Sequence, residues 1–179
     1  NDWLAAYTLD SMKNGMEYRY DGSIHKFWDG ITDTGEDRKK GVNSFFHSGF
    51  TDNGGYPFSY FINMGRKLQA SRVRVWQRND YLWTTYGPKT FELWISDDST
   101  PADGILSDWE YVGIYSIEKP ATDAEAAQAA IDGHEFWIYP AEAAFTRPFS
   151  YLRFKCVKDF TGKGTIGCLA EVTLYGQDC

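Results

Sequence analysis

One stretch of the chain gathers oxygen-bearing side chains closely enough to hold a cation. Asp29, Asp33 and Thr34 share a single loop that also contains Gly30. A calcium ion takes roughly six to eight oxygens, many of them backbone carbonyls, and so suits a loop that turns its carbonyls inward. The spacing is not that of an EF-hand, because no alternating acidic run closing on a glutamate is present. Catalytic signatures are weaker. The histidines are His25, His47 and His134, and none sits in a zinc-protease spacing. A strand-to-helix nucleophile elbow is missing as well. Gly162-Lys163-Gly164-Thr165 resembles a fragment of a phosphate loop, but Val157 stands where its first glycine belongs and Gly164 where a hydroxyl should follow the lysine. Glycoside hydrolysis needs two carboxylates held roughly 5–10 Å apart on a rigid frame. Asp97 and Asp98 read instead as turn formers in a loop.

The elements that must position these groups have a period of two. Val73 and Val75 alternate with Arg72, Arg74 and Trp76; Phe91, Leu93 and Ile95 with Glu92 and Trp94; Leu152, Phe154 and Cys156 with Arg153 and Lys155. Val112 with Ile114, Phe136 with Ile138, and Val172 with Leu174 make three shorter runs, and Tyr60–Met64 another, closed by Gly65. Alternation of this kind, with turn-rich spacers, predicts half-buried antiparallel strands. One helix is expected. Thr122 and Glu125 form a capping box, Ala126–Ile131 continue it, and Gly133 ends it. Two long irregular stretches, Asp29–Gly55 and Lys158–Leu169, are long enough to carry function.

Composition narrows the class. With 179 residues, 42% of them hydrophobic, one globular domain is expected. A net charge of −7 and a pI near 4.9 argue against nucleic acid and against an anionic membrane surface. No apolar run is long enough for a membrane span. Aromatic residues reach 17%, more than a core needs, which points to apolar plates near the surface. Cys156 reads as a buried free thiol and Cys179 as a terminal one, while a Cys156–Cys168 bridge stays open. Asn1-Asp2-Trp3 is not a signal peptide, so any address label is expected outside this sequence.

The order of motifs resembles the discoidin-like domains of the coagulation factor five/eight C-terminal type, which include the family 32 carbohydrate-binding modules. The matching pieces are Phe27–Thr34, Phe46-His47-Ser48, Pro57–Gly65, Arg72–Arg78, Phe91–Asp98 and Ala170–Gly176. A nearer resemblance is to a branch of unknown function at the C-terminus of bacterial surface lipoproteins labelled as chitobiases. Trp28 replaces the usual phenylalanine, and Glu36–Asn43 is an insertion. The resemblance implies an all-β, galactose-binding-like jelly-roll β-sandwich of about 8 antiparallel strands with one short helix. It implies a single domain over 1–179, with its core at about 21–176, as the C-terminal module of a larger protein. It also implies a structural calcium, held by Asp29, a hydroxyl from Thr32 or Thr34, and Glu171. The competing expectation is that Asp29 and Glu171 cap loop amides or meet cationic partners.

Sugar recognition by such modules uses loops at one end of the sandwich. A sugar ring has an apolar C–H face that an aromatic plate covers, and hydroxyls that need fixed donors and acceptors. Arg78, Asn79, Tyr81 and Trp83 offer both within six residues at a strand end, and His47, Phe46, Phe160 and Lys163 could join them from the two long loops. A surface ion pair is the other use for Arg78, and packing on Tyr86 and Pro88 the other use for Trp83. The expected function is a non-enzymatic carbohydrate-binding module that attaches an extracytoplasmic protein to a glycan, with a lipoprotein anchor upstream. Its partners are then a glycan and upstream domains of the same polypeptide, without nucleic acid or membrane insertion. The alternative is a docking module with no sugar site, favoured by face-wide Trp76, Trp94 and Trp137.

Overall fold

Alternating burial along one long strand organises the chain. The computed structural model describes residues 4–5, 24–33, 40, 44–47, 56–98, 108–140, 142–164 and 166–179. Among these residues the strands are β1 (Leu4–Ala5), β2 (Phe46–His47), β3 (Phe58–Trp76), β4 (Pro88–Ser96), β5 (Glu110–Ser116), β6 (His134–Trp137), β7 (Phe149–Asp159), β8 (Cys168–Leu169) and β9 (Glu171–Asp178). One helix, α1 (Asp123–Asp132), interrupts them. The runs at Tyr60–Met64 and Arg72–Trp76, read as separate strands, are the two halves of β3.

The two halves of β3 belong to different layers. Phe58–Asn63 pairs with β7, and β4 and β5 extend that layer, in the order β1-β3-β7-β4-β5. Leu68–Trp76 pairs with β9 on one side and β6 on the other. The register shifts between Asn63 and Leu68, where Asn63 Oδ1 accepts the Gly65 N–H (2.9 Å). β2 and β8 form a separate two-stranded piece. Side chains from both layers meet in one core: Tyr60, Ile62, Leu93 and Phe154 from one, Val73, Val75 and Val172 from the other. Ring contacts cross it, with Phe91 5.4 Å from Phe136. The result is the expected antiparallel jelly-roll sandwich.

Two side-chain placements differ from the alternation read in sequence. Val112 and Ile114 do not share the inner face. Gly113 pairs with Leu93 but Tyr111 pairs with Trp94, so Val112 is an extra residue at a bulge. A bulge reverses the alternation beyond it; Tyr115 therefore packs on the core and Ile114 is 55% exposed. Trp76, expected to face outward, is buried with Phe45 and Ala170, and its Nε1–H donates to Ile131 O at the end of α1 (3.1 Å).

The helix ends as its sequence dictates. Thr122 Oγ1 accepts from Glu125 N (3.2 Å) while Glu125 Oε2 accepts from Thr122 N (3.2 Å). Gly133 closes α1 with φ +73° and its N–H on Ala129 O, and a Cβ there would lie 2.6 Å from the Trp76 ring. Cys156 and Cys168 are buried free thiols, and burial pushes both upward in pKa. No helix among the described residues is long and apolar enough to cross a membrane.

The closest backbone approach is in β9. A Cβ on Gly176 would lie 1.9 Å from Gln69 O and 2.8 Å from Ala70 Cα, both backbone atoms of β3. Gly176→Ala is expected to cost about 1–3 kcal/mol through overpacking, read from urea unfolding midpoints. An unchanged midpoint would mean that β3 and β9 are free to separate here.

Candidate functional site

One end of the sandwich collects the loops. β3 leaves it at Trp76, β7 at Asp159, and β4, β6 and β9 enter it at Pro88, His134 and Glu171, as their pairings Trp76–Glu171, Val75–His134 and Pro88–Asp159 require. Cross-loop hydrogen bonds tie the end together. Asn79 N–H donates to Asp33 Oδ2 (3.1 Å), Cys168 N–H to Tyr86 O (2.6 Å) and Tyr56 N–H to Gly164 O (2.7 Å).

The β3–β4 loop splits its rings into two groups. On one side Arg78 lies beneath Tyr81 and over Phe45, with Cζ 4.6 and 4.0 Å from their ring centres. Its guanidinium grips Asp80 by two bonds, Nε to Oδ1 (2.7 Å) and NH2 to Oδ2 (3.1 Å). The ion pair foreseen as the alternative for Arg78 is therefore present, and the side chain is only 11% exposed. Tyr81, 41% exposed, stacks on Tyr86 (4.3 Å, 27°). Phe46 and His47 are fully buried: Phe46 packs on Tyr60 (4.8 Å), and His47 lies between Phe45 and Tyr86. Asn79 is half-buried in the short 3-10 turn Asn79–Tyr81.

On the other side Trp83 meets Phe160 (5.5 Å, 85°) and His134 (5.4 Å, 78°), both edge to face. Trp83 and Phe160 also pack against the hydrophobic core. Trp83 has φ +59°, a left-handed conformation that is unfavourable for a bulky residue. Its N–H donates to the buried Gln77 Oε1 (3.3 Å), and among the described residues Gln77 Nε2 has no hydrogen-bond partner. Lys89 lies over the Phe160 ring (5.9 Å), and Lys163 is exposed on the next loop. His134 and Lys89 escaped the sequence reading. The signal for His134 was local: it follows Gly133, which the Trp76 contact fixes, so the strand must begin beside the loop end.

The glycine-rich loop cannot hold a phosphate as its sequence fragment hinted. Its amides close on its own acid: Asp159 Oδ1 accepts from Thr161 N (2.9 Å) and Gly162 N, and Oδ2 from Gly164 N (2.9 Å).

The carboxylates Asp29 and Glu171, 142 positions apart, meet at the same end. Gly30 N–H donates to Glu171 Oε2 (3.0 Å), and Ile31 N–H to Asp29 Oδ1 (2.9 Å); Ser44 Oγ donates to Asp29 Oδ2. Both acids thus cap loop amides. They also face each other: burial, with the Asp29 charge adding to it, pushes the Glu171 carboxyl up to about 8, against the Gly30 hydrogen bond. An acid so placed holds its proton near neutrality unless a cation offsets the crowding. Thr32 is half-buried on the same loop; Thr34 lies outside the described residues. Among the described residues no three acidic, histidine or cysteine side chains cluster as a ready metal cage.

Comparison with known proteins places the chain. A family model described as a domain of unknown function, DUF5000, matches residues 28–176. The chain belongs to this family. Among solved structures, a SusE-like protein aligns with TM-score 0.81 at 20% identity, over 99% of this chain and 65% of that one. The DUF5000 chain therefore spans about two thirds of that relative. The CBM32-3 domain of a family 31 glycoside hydrolase from Clostridium perfringens aligns with TM-score 0.65 at 17% identity, over 98% and 92% of the two chains. The C-terminal domain of a chitobiase from Bacteroides fragilis follows at 0.64 and 14%, over 100% and 96%. At these identities the likeness is one of fold, and it is the discoidin-like fold that the motifs resembled. No curated protein matches the chain.

The Trp83–His134 contact makes the loop end sensitive to acid. Burial lowers the His134 pKa from 6.5 to about 4. Between those values the unfolded chain takes up a proton that the folded one refuses, so stability is full above about 6.5 and is lost as pH falls toward 4. His134→Gln should therefore flatten the acid side of the melting-temperature profile relative to wild type. Parallel profiles would show that His134 is freely hydrated.

Proposed function

We propose that this DUF5000 domain is a non-catalytic carbohydrate-binding module that attaches a larger, extracytoplasmic protein to a glycan through its loop end. The observation that carries the reading is Trp83, held at φ +59° with its ring set against Phe160 and His134. Backbone strain at a bulky residue persists where the surroundings impose it, and such residues concentrate at binding sites. The rings would supply a plate for a sugar's C–H face, and Asn79 and Lys163, on the loops that carry Trp83 and Phe160, would meet hydroxyls. Among the described residues Gln77 Nε2 is a buried donor without an acceptor, beside the Trp83 N–H that its Oε1 holds. In this reading Arg78 is a positioning residue that fixes Tyr81 through Asp80, while Phe46 and His47 pack behind the site. The fold of carbohydrate-binding and chitobiase domains supports the glycan class and an extracytoplasmic setting; a lipoprotein anchor elsewhere in the polypeptide is part of the proposal.

A shallow site of this kind binds with a dissociation constant of roughly 10⁻⁵–10⁻³ M. On a glycan array the wild type should bind one terminal sugar, and Trp83→Ala should weaken that binding at least tenfold. Tyr81→Ala, at an exposed position, should weaken it without touching the fold. Wild-type binding by both variants would remove the loop end as the site.

Calcium belongs to the same proposal. Asp29 and Glu171 would hold it, with Thr32 or Thr34, and the ion would brace the loop that anchors Asn79 through Asp33. The crowding of the two acids supports this assignment. An ion that binds only the folded state stabilises it by mass action, so chelation should lower the melting temperature by roughly 5 °C or more. Glu171→Gln should abolish the response. Identical melting in chelator and in millimolar calcium would dismiss the metal.

The docking alternative rests on one other surface. Trp137 is 61% exposed on β6, with Arg72 packed between it and Tyr175 (5.2 and 4.7 Å). A blank array together with loss of partner capture in Trp137→Ala would favour docking.

A further inference from the structure

The outer face of the first layer carries a row of side chains set by strand register. Phe61 on β3 lies opposite Arg153 on β7, Arg153 opposite Trp94 on β4, and Trp94 opposite Tyr111 on β5. Their chain neighbours Ile62, Leu152 and Ile95 are buried, so the row itself points away from the core. Strands about 4.8 Å apart make it roughly 14 Å long; the buried Trp109 packs edge to face on Phe61 (5.4 Å) and closes that end, which leaves the stretch from Arg153 to Tyr111 for a ligand.

Arg153 is its centre. The guanidinium lies between two rings, 5.4 Å from Phe61 and 5.5 Å from Trp94. Its Nε–H donates to Ser59 Oγ (3.0 Å), and among the described residues its NH1 and NH2 groups have no hydrogen-bond partner. The nearby acid, Glu92, is taken by Lys155 Nζ (3.0 Å) and Trp94 Nε1 (3.0 Å). Arg72 and Arg74 on the other layer share Glu135, and Arg78 has Asp80. Among the described residues Arg153 thus differs from these three in having no carboxylate in ion-pair contact. Desolvation between the rings lowers its pKa against the raising effect of Glu92, as expected of a charge left without its counterion. Tyr111, 48% exposed, extends the plate beside Trp94 (4.9 Å).

A guanidinium with two parallel N–H groups open matches a carboxylate bidentately, and a neutral hydroxyl does not use that fork. The Trp94 and Tyr111 rings beside it suit the C–H faces of the sugar that bears the acid. We propose that this row is a second binding site, specific for an acidic glycan, in which a uronate carboxylate takes the open fork of Arg153 and a neighbouring sugar ring lies on Trp94 and Tyr111. It shares with the loop-end reading only the class of ligand.

The test is calorimetric titration of the intact chain with trigalacturonate and with its methyl ester, which keeps the rings and removes the charge. The acid should bind at least tenfold more tightly than the ester. Arg153→Lys keeps the charge but loses the fork, and should weaken the acid at least tenfold. Tyr111→Ala, at an exposed position that leaves the core intact, should weaken it severalfold, and Trp83→Ala should leave it unchanged. Equal binding of acid and ester, no acid binding at millimolar concentration, or loss of acid binding in Trp83→Ala would each overturn the proposal. The last result would move the acid to the loop end and leave the loop-end reading standing.

Discussion

The bend in β3 is the constraint on which the rest of the structure depends. One strand serves both layers, and the other long strands are registered against it directly or through β7 and β4. Phe58–Asn63 and Leu68–Trp76 each bury alternate residues, and together they bring Ile62 and Val73 into one core. The bend also decides where the site can be. Because β3 runs unbroken to Trp76, the loop after it emerges beside the start of β9 and the end of β7. A break at Gly65 would leave two sheets with no common end.

Carboxylates then turn loops into fixed parts. Asp159 gathers three amides of the glycine-rich loop, Asp33 holds the Asn79 amide, and Asp80 clamps Arg78. Charge-assisted bonds to backbone N–H are among the stronger hydrogen bonds. Each such acid is acceptor and anchor at once, so the rings they carry are presented without loss of much freedom on binding.

The strands were legible where alternation was long. Phe91–Ile95 and Leu152–Cys156 bury the residues their pattern names. Alternation failed at Val112, because a bulge is a property of a strand pair and leaves no mark in either strand alone. It failed at Trp76 because the end of α1 covers that face, and the helix shows no buried residue of its own to announce it. The loop-end residues Arg78–Trp83 could be located as a group, from their place after a strand. Their division into an Arg78–Tyr81 side and a Trp83–Phe160 side could not, since it follows from one positive φ and from contacts across more than 50 residues. The Arg153 row was equally hidden: each residue was visible as an outward member of its strand, but register alone lines them up.

The central claim is that the loop end, with Trp83 as its plate, is where this domain meets a glycan. Amide and indole chemical shifts, followed while the best array sugar is titrated in, test it most directly. The account predicts shifts confined to Asn79–Tyr86, His134 and Phe160–Gly164, with the Trp83 indole moving most. Shifts centred on Trp137 and Tyr175, or a spectrum that no glycan alters, would contradict it.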